Sequence, residues 1–513
     1  MKLIKQFLFQ RSTLLAVAIL AQLLVLIGVI SRFSDYFVIF YGLSILISII
    51  VVLVIINNNM NPAYKLAWII AILSFPIFGG LFYLLFGGKQ LGKISKKRMK
   101  SISEDTQKLL TSQSLILEEI KSQSKTALNQ SRYIRDYANY PPYHNTTAEY
   151  LQSGEEKFVK LKEELQKAQK YIFLEYFIIE EGEMWGELLD ILVEKAATGV
   201  EVRVIYDDLG CLDTLPYKYN KKLQRMGIKA AVFNPLMPIL SSKYNNRDHR
   251  KIAIIDGHTA FTGGVNLADE YINRVEKYGH WKDSAIMIKG EAVWSMTVMF
   301  LSMWHYLKGI KDDLEYFKYD TNASIESSKQ KDGYIQPFAD SPLDDEAVGE
   351  VIYLNLINKA EDYIYITTPY LILANEMLTA LTSAAKAGVD VRIITPYQAD
   401  KWYVHLVTRS YYQVLLESGV RIYEYTPGFI HAKNYIVDDK YGVVGTINMD
   451  YRSLYLHFEC GVWLYDCSTV FEMKDDFFST LKVAKEITEA DLATDEWYKS
   501  LGSSILRIFA PLM

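Results

Sequence analysis

The segment GVEVRVIYD, beginning at Gly199, returns as GVDVRIITP, beginning at Gly388, 189 residues further on. Each copy closes the same run of elements. In the first, residues 171–179 are aromatic and aliphatic and read as a strand. Residues 185–197 carry Leu188, Leu189, Leu192 and Val193 on one helical face, Gly199 stops that helix, and 200–206 form the next strand. In the second copy, 363–367, 375–387, Gly388 and 389–395 repeat the order. Two strands joined through a helix pair in parallel, so an α/β fold is expected. A period this long means a duplicated domain, not a stacked repeat.

A shorter pattern is duplicated with it. HRKIAIID supplies His249, Lys251 and Asp256; HAKNYIVD supplies His431, Lys433 and Asp438. Both read His-x-Lys-x4-Asp, 182 residues apart. The residues after each lysine are apolar, which predicts a strand on which each His and its Lys share a face. A glycine–asparagine signature follows each motif: Gly263, Gly264 and Asn266, then Gly445, Thr446 and Asn448. Further on stand two carboxylates, Asp283 in HWKDSAIM and Glu459 in LHFEC.

These residue types suit phosphodiester chemistry. One imidazole can attack phosphorus, and a second, titrating near neutrality, can protonate the leaving alkoxide. Two lysines, Asn266, Asn448 and the Thr446 hydroxyl can donate to phosphate oxygens. Gly264 lets a backbone approach a bound group, and Asp283 and Glu459 can fix histidine tautomers. Asp256 and Asp438 complete the candidate catalytic set; each precedes a turn, where it can equally stabilise a strand end. His258, His280, His305, His405 and His457 lack the motif and read as background. No carboxylate or histidine cluster has metal-ligand spacing, and Cys211, Cys460 and Cys467 show no metal-type pairing. Neither a metal nor another cofactor is expected.

Half of the 513 residues are hydrophobic, which points to membrane segments. Residues 14–30, 37–56 and 67–86 are uncharged, the last with Pro76, Gly79 and Gly80, and each is close to the ~20 residues of a span. Lys2, Lys5 and Arg11 precede the first, but no small-residue cleavage site follows, so an anchor is expected and not a signal peptide. The basic run Lys89, Lys93, Lys96, Lys97, Arg98 and Lys100 predicts a cytoplasmic catalytic part. The chain divides into an anchor of two or three transmembrane helices (1–90), a polar helical linker (91–140), a first half (141–325) and a second half (345–513), with a polar stretch over 311–346 between the halves. In the tail, Trp497, Leu501, Ile505 and Phe509 draw one apolar stripe, for docking on the core or for lying at a bilayer surface. A net charge of -5 does not mark a nucleic-acid binder.

The motifs make the chain similar to the phospholipase D superfamily, whose hallmark is the duplicated His-x-Lys-x4-Asp, and especially to its bacterial cardiolipin synthase branch. The likeness is carried by AWIIAILSFPIFGGLFYLLFG from Ala67, LEYFII from Leu174, NNRDHRKIAIIDG from Asn245, PGFIHAKNYIVDD from Pro427 and GTINMDYRSLYLHFE from Gly445. Asn448, Asp450, Arg452 and Ser453 match the second-half signature; Thr446 stands where serine is usual, and the first apolar segment adds to a commoner two-segment anchor. The resemblance implies two mixed-sheet halves facing each other behind a multi-pass anchor in the cell membrane. It implies that two phosphatidylglycerol molecules become cardiolipin and glycerol through a phosphohistidine, with His249 attacking, and that membrane lipids are the partners. Hydrolysis, or transfer to another alcohol, would use the same residues. Three apolar segments and near-neutral charge oppose a nuclease, and two intact motifs oppose a non-enzymatic scaffold.

Overall fold

The computed structural model describes residues 11–32, 37–58, 61–75, 79–87, 93–110, 114–237, 242–319, 332–344, 346–493 and 497–512. Pro76, Lys89 and residues 320–331 of the expected stretch between the halves lie outside these. The strands are β1 (Thr146–Leu151), β2 (Tyr171–Tyr176), β3 (Glu201–Asp207), β4 (Lys229–Phe233), β5 (Lys251–Ile255), β6 (Thr259–Gly263), β7 (His280–Lys282), β8 (Ala285–Gly290), β9 (Tyr334–Asp340), β10 (Tyr363–Thr367), β11 (Asp390–Pro396), β12 (Arg421–Tyr425), β13 (Gly428–Ile430), β14 (Asn434–Val437), β15 (Tyr441–Gly445), β16 (Glu459–Tyr465) and β17 (Ala484–Ile487).

The first half is a sheet in the order β1-β8-β6-β5-β2-β3-β4, the second a sheet in the order β17-β12-β11-β10-β14-β15-β16-β9. β2, β3 and β4 run parallel because helices Glu183–Ala197 and Tyr219–Arg225 carry the chain back between them. β5, β6, β8 and β1 are antiparallel. The second half repeats this, with β10, β11 and β12 parallel and β14, β15, β16 and β9 antiparallel. The duplication read from sequence is therefore a duplication of topology, in mixed sheets. The sheets share one apolar core, in which Phe173, Ile252 and Ile254 meet Tyr365, Ile436 and Val444.

Two stretches read as polar connectors are structural. Residues 91–140 are largely helical, but helices Ser114–Gln123 and Lys125–Tyr133 bury Ile116, Ile120, Ala127 and Leu128 in the second-half core. Trp463 Nε1 donates to Gln130 Oε1 at 2.9 Å. β9, inside the stretch read as a connector, is the edge partner of β16. In the helices a polar outer face hid a buried inner one; β9 is buried at six of its seven residues and was hidden by the polar residues around it in the chain.

The apolar N-terminal region also departs from three plain spans. Helices Arg11–Arg32 and Phe37–Asn57 have 22 and 21 residues, and the second is uncharged. The third apolar stretch is broken into Pro62–Ser74 and Gly79–Phe86, of 13 and 8 residues. At ~1.5 Å per residue neither reaches across a ~30 Å hydrocarbon layer. Among the described residues, no helix is long and apolar enough to cross a membrane.

The tail docks on the core, one of the two roles expected of it. Helix Trp497–Phe509 lays the Arg507 guanidinium over the Tyr411 ring at 4.2 Å, packs Leu506 on the second-half core and leads to the buried Ala510. Ile505 stays 51% exposed; the side chains of Trp497 and Leu501 lie outside the described residues.

Candidate active site

Two short backbone bridges between the halves build the site. In the first, β13 pairs in parallel with β7, setting Ile430 against Lys282. In the second, Asp248 bridges Phe458, also in parallel. The next residue on each side is therefore brought alongside its counterpart: His431 beside Asp283, and His249 beside Glu459. The histidine amides lock this register, His431 N–H donating to Lys282 O at 2.7 Å and His249 N–H to Phe458 O at 2.9 Å. Both histidines thus precede the strands on which the apolar pattern had set them.

The side chains follow the same exchange. His431 Nδ1 is 2.8 Å from Asp283 Oδ2, and His249 Nδ1 is 2.9 and 3.0 Å from the two Glu459 oxygens. Each histidine is held by the carboxylate of the other half. Both imidazoles face one cleft of about 660 Å³, walled by Phe177, Tyr271, Trp281 and Phe429. The Phe177 ring meets the His249 ring edge-on at 5.1 Å, and Trp281 lies 5.5 Å from His431.

The lysines lie beneath the histidines, fully buried. Lys251 Nζ donates to His249 O at 2.5 Å, and Lys433 Nζ to His431 O. Burial pushes the Lys251 ammonium down to about 8 and that of Lys433 to about 7, with Asp283 opposing the fall in both and Glu459 likewise. Burial, aided by the neighbouring lysine charges, holds His249 well below the usual imidazole range and takes His431 to about 4. Both imidazoles are accordingly neutral near pH 7. The carboxylates differ. Burial pushes Glu459 up to about 8 against the pull of Lys251. Burial acts on Asp283 in the same sense, but His431, Lys433 and the Ser284 amide outweigh it and hold its pKa low.

The remaining expected residues fall into two groups. Asn448 lines the cleft with a buried Oδ1 that has no hydrogen-bond partner. Asn266 lines it too, but its Oδ1 accepts the Ile178 amide at 3.0 Å and its Nδ2 donates to Tyr271 at 2.7 Å. Thr446 turns to its own half's carboxylate, its hydroxyl donating to Glu459 Oε2. Gly264 admits Asp283 where a ligand had been expected: a Cβ there would meet Asp283 Oδ1 at 1.9 Å.

Asp256 and Asp438 are not brought to the cleft. They close the β5–β6 and β14–β15 turns with φ of 53° each, the left-handed region that short polar residues tolerate. Asp256 accepts the amides of Gln169, Lys170 and Tyr171 at 2.7, 2.7 and 2.8 Å. Asp438 accepts those of Glu361, Asp362 and Tyr363 at 2.8, 2.9 and 2.8 Å. Each caps the start of a strand at the far end from its histidine. The geometry corrects their catalytic assignment in favour of the strand-end role.

Sequence reading passed over His457. It lines the cleft, its ring 5.6 Å from that of His249, and with Glu459 the two histidines offer ligand atoms within 4.8 Å of one another. Only the fold creates that grouping, because 208 residues separate His249 from His457.

The chain matches the family described as "Cardiolipin synthase, PLD-like domain" over residues 161–304 and 353–481, and that described as "Phospholipase_D-nuclease N-terminal" over 46–88. A protein of Streptococcus mutans described as uncharacterized is 45% identical over 90% of this chain and 99% of its own. Proteins described as cardiolipin synthase are 34% identical in Halalkalibacterium halodurans, over 92% of this chain and 93% of theirs, and 33% identical in Alkalihalophilus pseudofirmus, over 95% and 94%. The solved structure of phosphatidylserine synthase from Haemophilus influenzae superposes with a TM-score of 0.55 over 76% of this chain and 98% of that one, at 17% identity, a likeness of fold. With two intact histidine motifs meeting at one cleft, the chain belongs to the cardiolipin synthase family of phospholipase D-like phosphatidyltransferases.

Proposed function

We propose that the enzyme transfers a phosphatidyl group from one phosphatidylglycerol to another, giving cardiolipin and glycerol. The observation that carries this reading is the exchange of partners at the cleft: two imidazoles facing it, each oriented by the opposite half's carboxylate. In the first step an imidazole Nε2 attacks phosphorus, and a P–N bond forms as the bond to the glycerol oxygen breaks. The second imidazole, made an imidazolium by taking up a proton at Nε2 when the anionic phosphodiester binds beside it, gives that proton to the oxygen and becomes neutral. The same imidazole then takes a proton from a hydroxyl of the second phosphatidylglycerol. That oxygen attacks phosphorus and the P–N bond breaks. The resemblance names His249 as the attacking residue. Lys251 and Lys433, each with one of three donors engaged by a histidine carbonyl, stabilise the phosphorane oxygens.

Purified protein given phosphatidylglycerol alone should release glycerol and cardiolipin in equal amounts. Phosphatidic acid as the main product would make the enzyme a hydrolase instead. Lys251→Ala or Lys433→Ala should lower kcat by about 10²–10³, the usual effect of removing one oxyanion donor. A drop under about tenfold in both would mean that the lysines only support the histidine backbone.

The low lysine pKa values predict an alkaline limb. As pH rises through about 7–8, Lys433 and then Lys251 lose the charge that stabilises phosphate, so kcat/KM should fall. Stability moves the other way. The unfolded chain holds these protons up to about pH 10.4 while the folded chain releases them earlier, so folding is favoured as pH rises between. A limb that persists unchanged in Lys251→Arg and Lys433→Arg would belong to other groups.

The membrane anchor belongs to the same proposal. Helices Arg11–Arg32 and Phe37–Asn57 expose Leu24, Val25, Val38, Ile39, Leu53 and Val54, as lipid-facing helices do. The region is joined to the catalytic part, since Asn61 Nδ2 donates to Tyr455 at 3.1 Å and Leu512 packs on Tyr64, Trp68 and their neighbours. A chain beginning at Lys93 keeps the docked helices and should fold, yet lose at least tenfold of its activity on liposomes and recover part of it on detergent-dispersed lipid. Equal activity of both chains on liposomes would reduce the region to an address.

A further inference from the structure

The cleft holds one more set of polar groups than a single phosphate needs. His457 presents two buried ring nitrogens with no hydrogen-bond partner among the described residues. Arg452 and Lys401 line the same cleft, and neither has an ion pair or a side-chain hydrogen bond among the described residues. The nearest carboxylate, Glu459, lies 3.8 Å from His457 Nδ1 but is engaged by His249 and Thr446; of the others, Asp450 accepts the Ser453 amide at 2.8 Å, Glu270 pairs with Lys277 at 3.1 Å, and Asp400 accepts the Tyr370 hydroxyl. The group His249, His457 and Glu459 has donors that suit a transition-metal ion. The field around it does not, since after burial the charges of Arg452, Arg247, Lys251 and Lys401 are what keep His457 from protonating. An imidazole without a hydrogen bond among the described residues, with four cations acting on it and the neighbouring carboxylates engaged, favours an anion.

We propose that His457, Arg452 and Lys401 form a second phosphate subsite, which holds the phosphodiester of the acceptor lipid while its free hydroxyl reaches the reacting phosphorus. The inference rests on the transfer reading above and names where the second substrate binds. Cardiolipin carries its two phosphates one glycerol apart. A subsite whose imidazole ring lies 5.6 Å from that of His249 is one glycerol's reach from the reaction. Val404, Ala510 and Leu512 continue the same wall as apolar surface, leading from this subsite toward the N-terminal apolar helices, as acyl chains require.

The test compares two acceptors in the full-length enzyme in detergent micelles. Phosphatidylglycerol as acceptor needs the subsite; radiolabelled glycerol, exchanged into phosphatidylglycerol, breaks and forms the same bonds without a second phosphate. Arg452→Ala should depress cardiolipin formation at least tenfold more than glycerol exchange, and Lys401→Ala, at an exposed position that the fold does not need, at least threefold more. Arg452→Lys, which keeps the charge, should recover part of the difference. Equal loss of both reactions, or loss of neither, overturns the subsite. If the unaltered enzyme performs neither transfer and yields only phosphatidic acid, the transfer reading itself fails, and this inference falls with it.

Discussion

Alanine at His249 or at His431 should abolish phosphatidyl transfer, lowering kcat by about 10⁴-fold or more, because in the proposed mechanism one imidazole forms the bond to phosphorus and the other moves the proton. The double variant should be no worse than either single one, since residues acting as a unit are not additive. Release of labelled glycerol and formation of cardiolipin, followed separately, distinguish the two roles. The variant lacking the attacking residue releases no glycerol. The variant lacking only the acid retains slow release when the leaving group is a good one, such as p-nitrophenol, which needs no proton. Rapid quenching at alkaline pH should leave a phosphatidyl adduct on His249; an adduct on His431 would reverse the roles. One single variant with wild-type turnover would end the shared-site account.

Asp283→Asn and Glu459→Gln test the exchange of partners. Each should cost about 10³–10⁴ in kcat, as when an amide replaces the carboxylate that holds a catalytic imidazole in its working tautomer. The coupling is the sharper prediction. Asp283→Asn should add nothing to His431→Ala, although 148 residues separate the two, and Glu459→Gln should add nothing to His249→Ala. Coupling of Asp283 to His249 in place of His431 would show that the orientation within each half matters more than the exchange between halves. The two sites also differ in electrostatics, since burial raises Glu459 to about 8 whereas His431, Lys433 and an amide hold Asp283 low. Activity should therefore change above pH 7 in Asp283→Asn, where Glu459 is the only orienting carboxylate left, with a pKa that Glu459→Gln removes.

Much of this was legible from residues in order. The strand–helix–strand run before Gly199 and Gly388 sets the parallel part of each sheet, because local periodicity and a glycine stop describe elements that form from neighbours in the chain. The two His-x-Lys-x4-Asp copies announced the site, since a motif on one stretch is carried whole by the fold. Less legible were elements with one polar face. Helices Ser114–Gln123 and Lys125–Tyr133 read as connectors because one face of each meets water and only packing reveals the other, while β9, buried along nearly its whole length, was hidden by the polar residues that flank it in the chain. Of the tail stripe, only Ile505 and Phe509 have described side chains, and Ile505 is exposed. A four-residue spacing drifts around a 3.6-residue helix, and the face that docks carries Leu506, Arg507 and Ala510.

By itself the sequence determined the duplicated α/β architecture, the pair of histidines and lysines, and the carboxylates available to orient them, because composition, periodicity and spacing are properties of a line. Tertiary structure alone decided which carboxylate serves which histidine. That choice depends on two parallel bridges between segments 148 and 210 residues apart, and no local propensity encodes contacts at such separations. It also decided that Asp256 and Asp438 cap strands, because their oxygens meet three amides each at the far end of the sheet. It brought His457, a residue with no motif, to the wall of the cleft, where burial without a partner leaves its ring nitrogens available to a ligand.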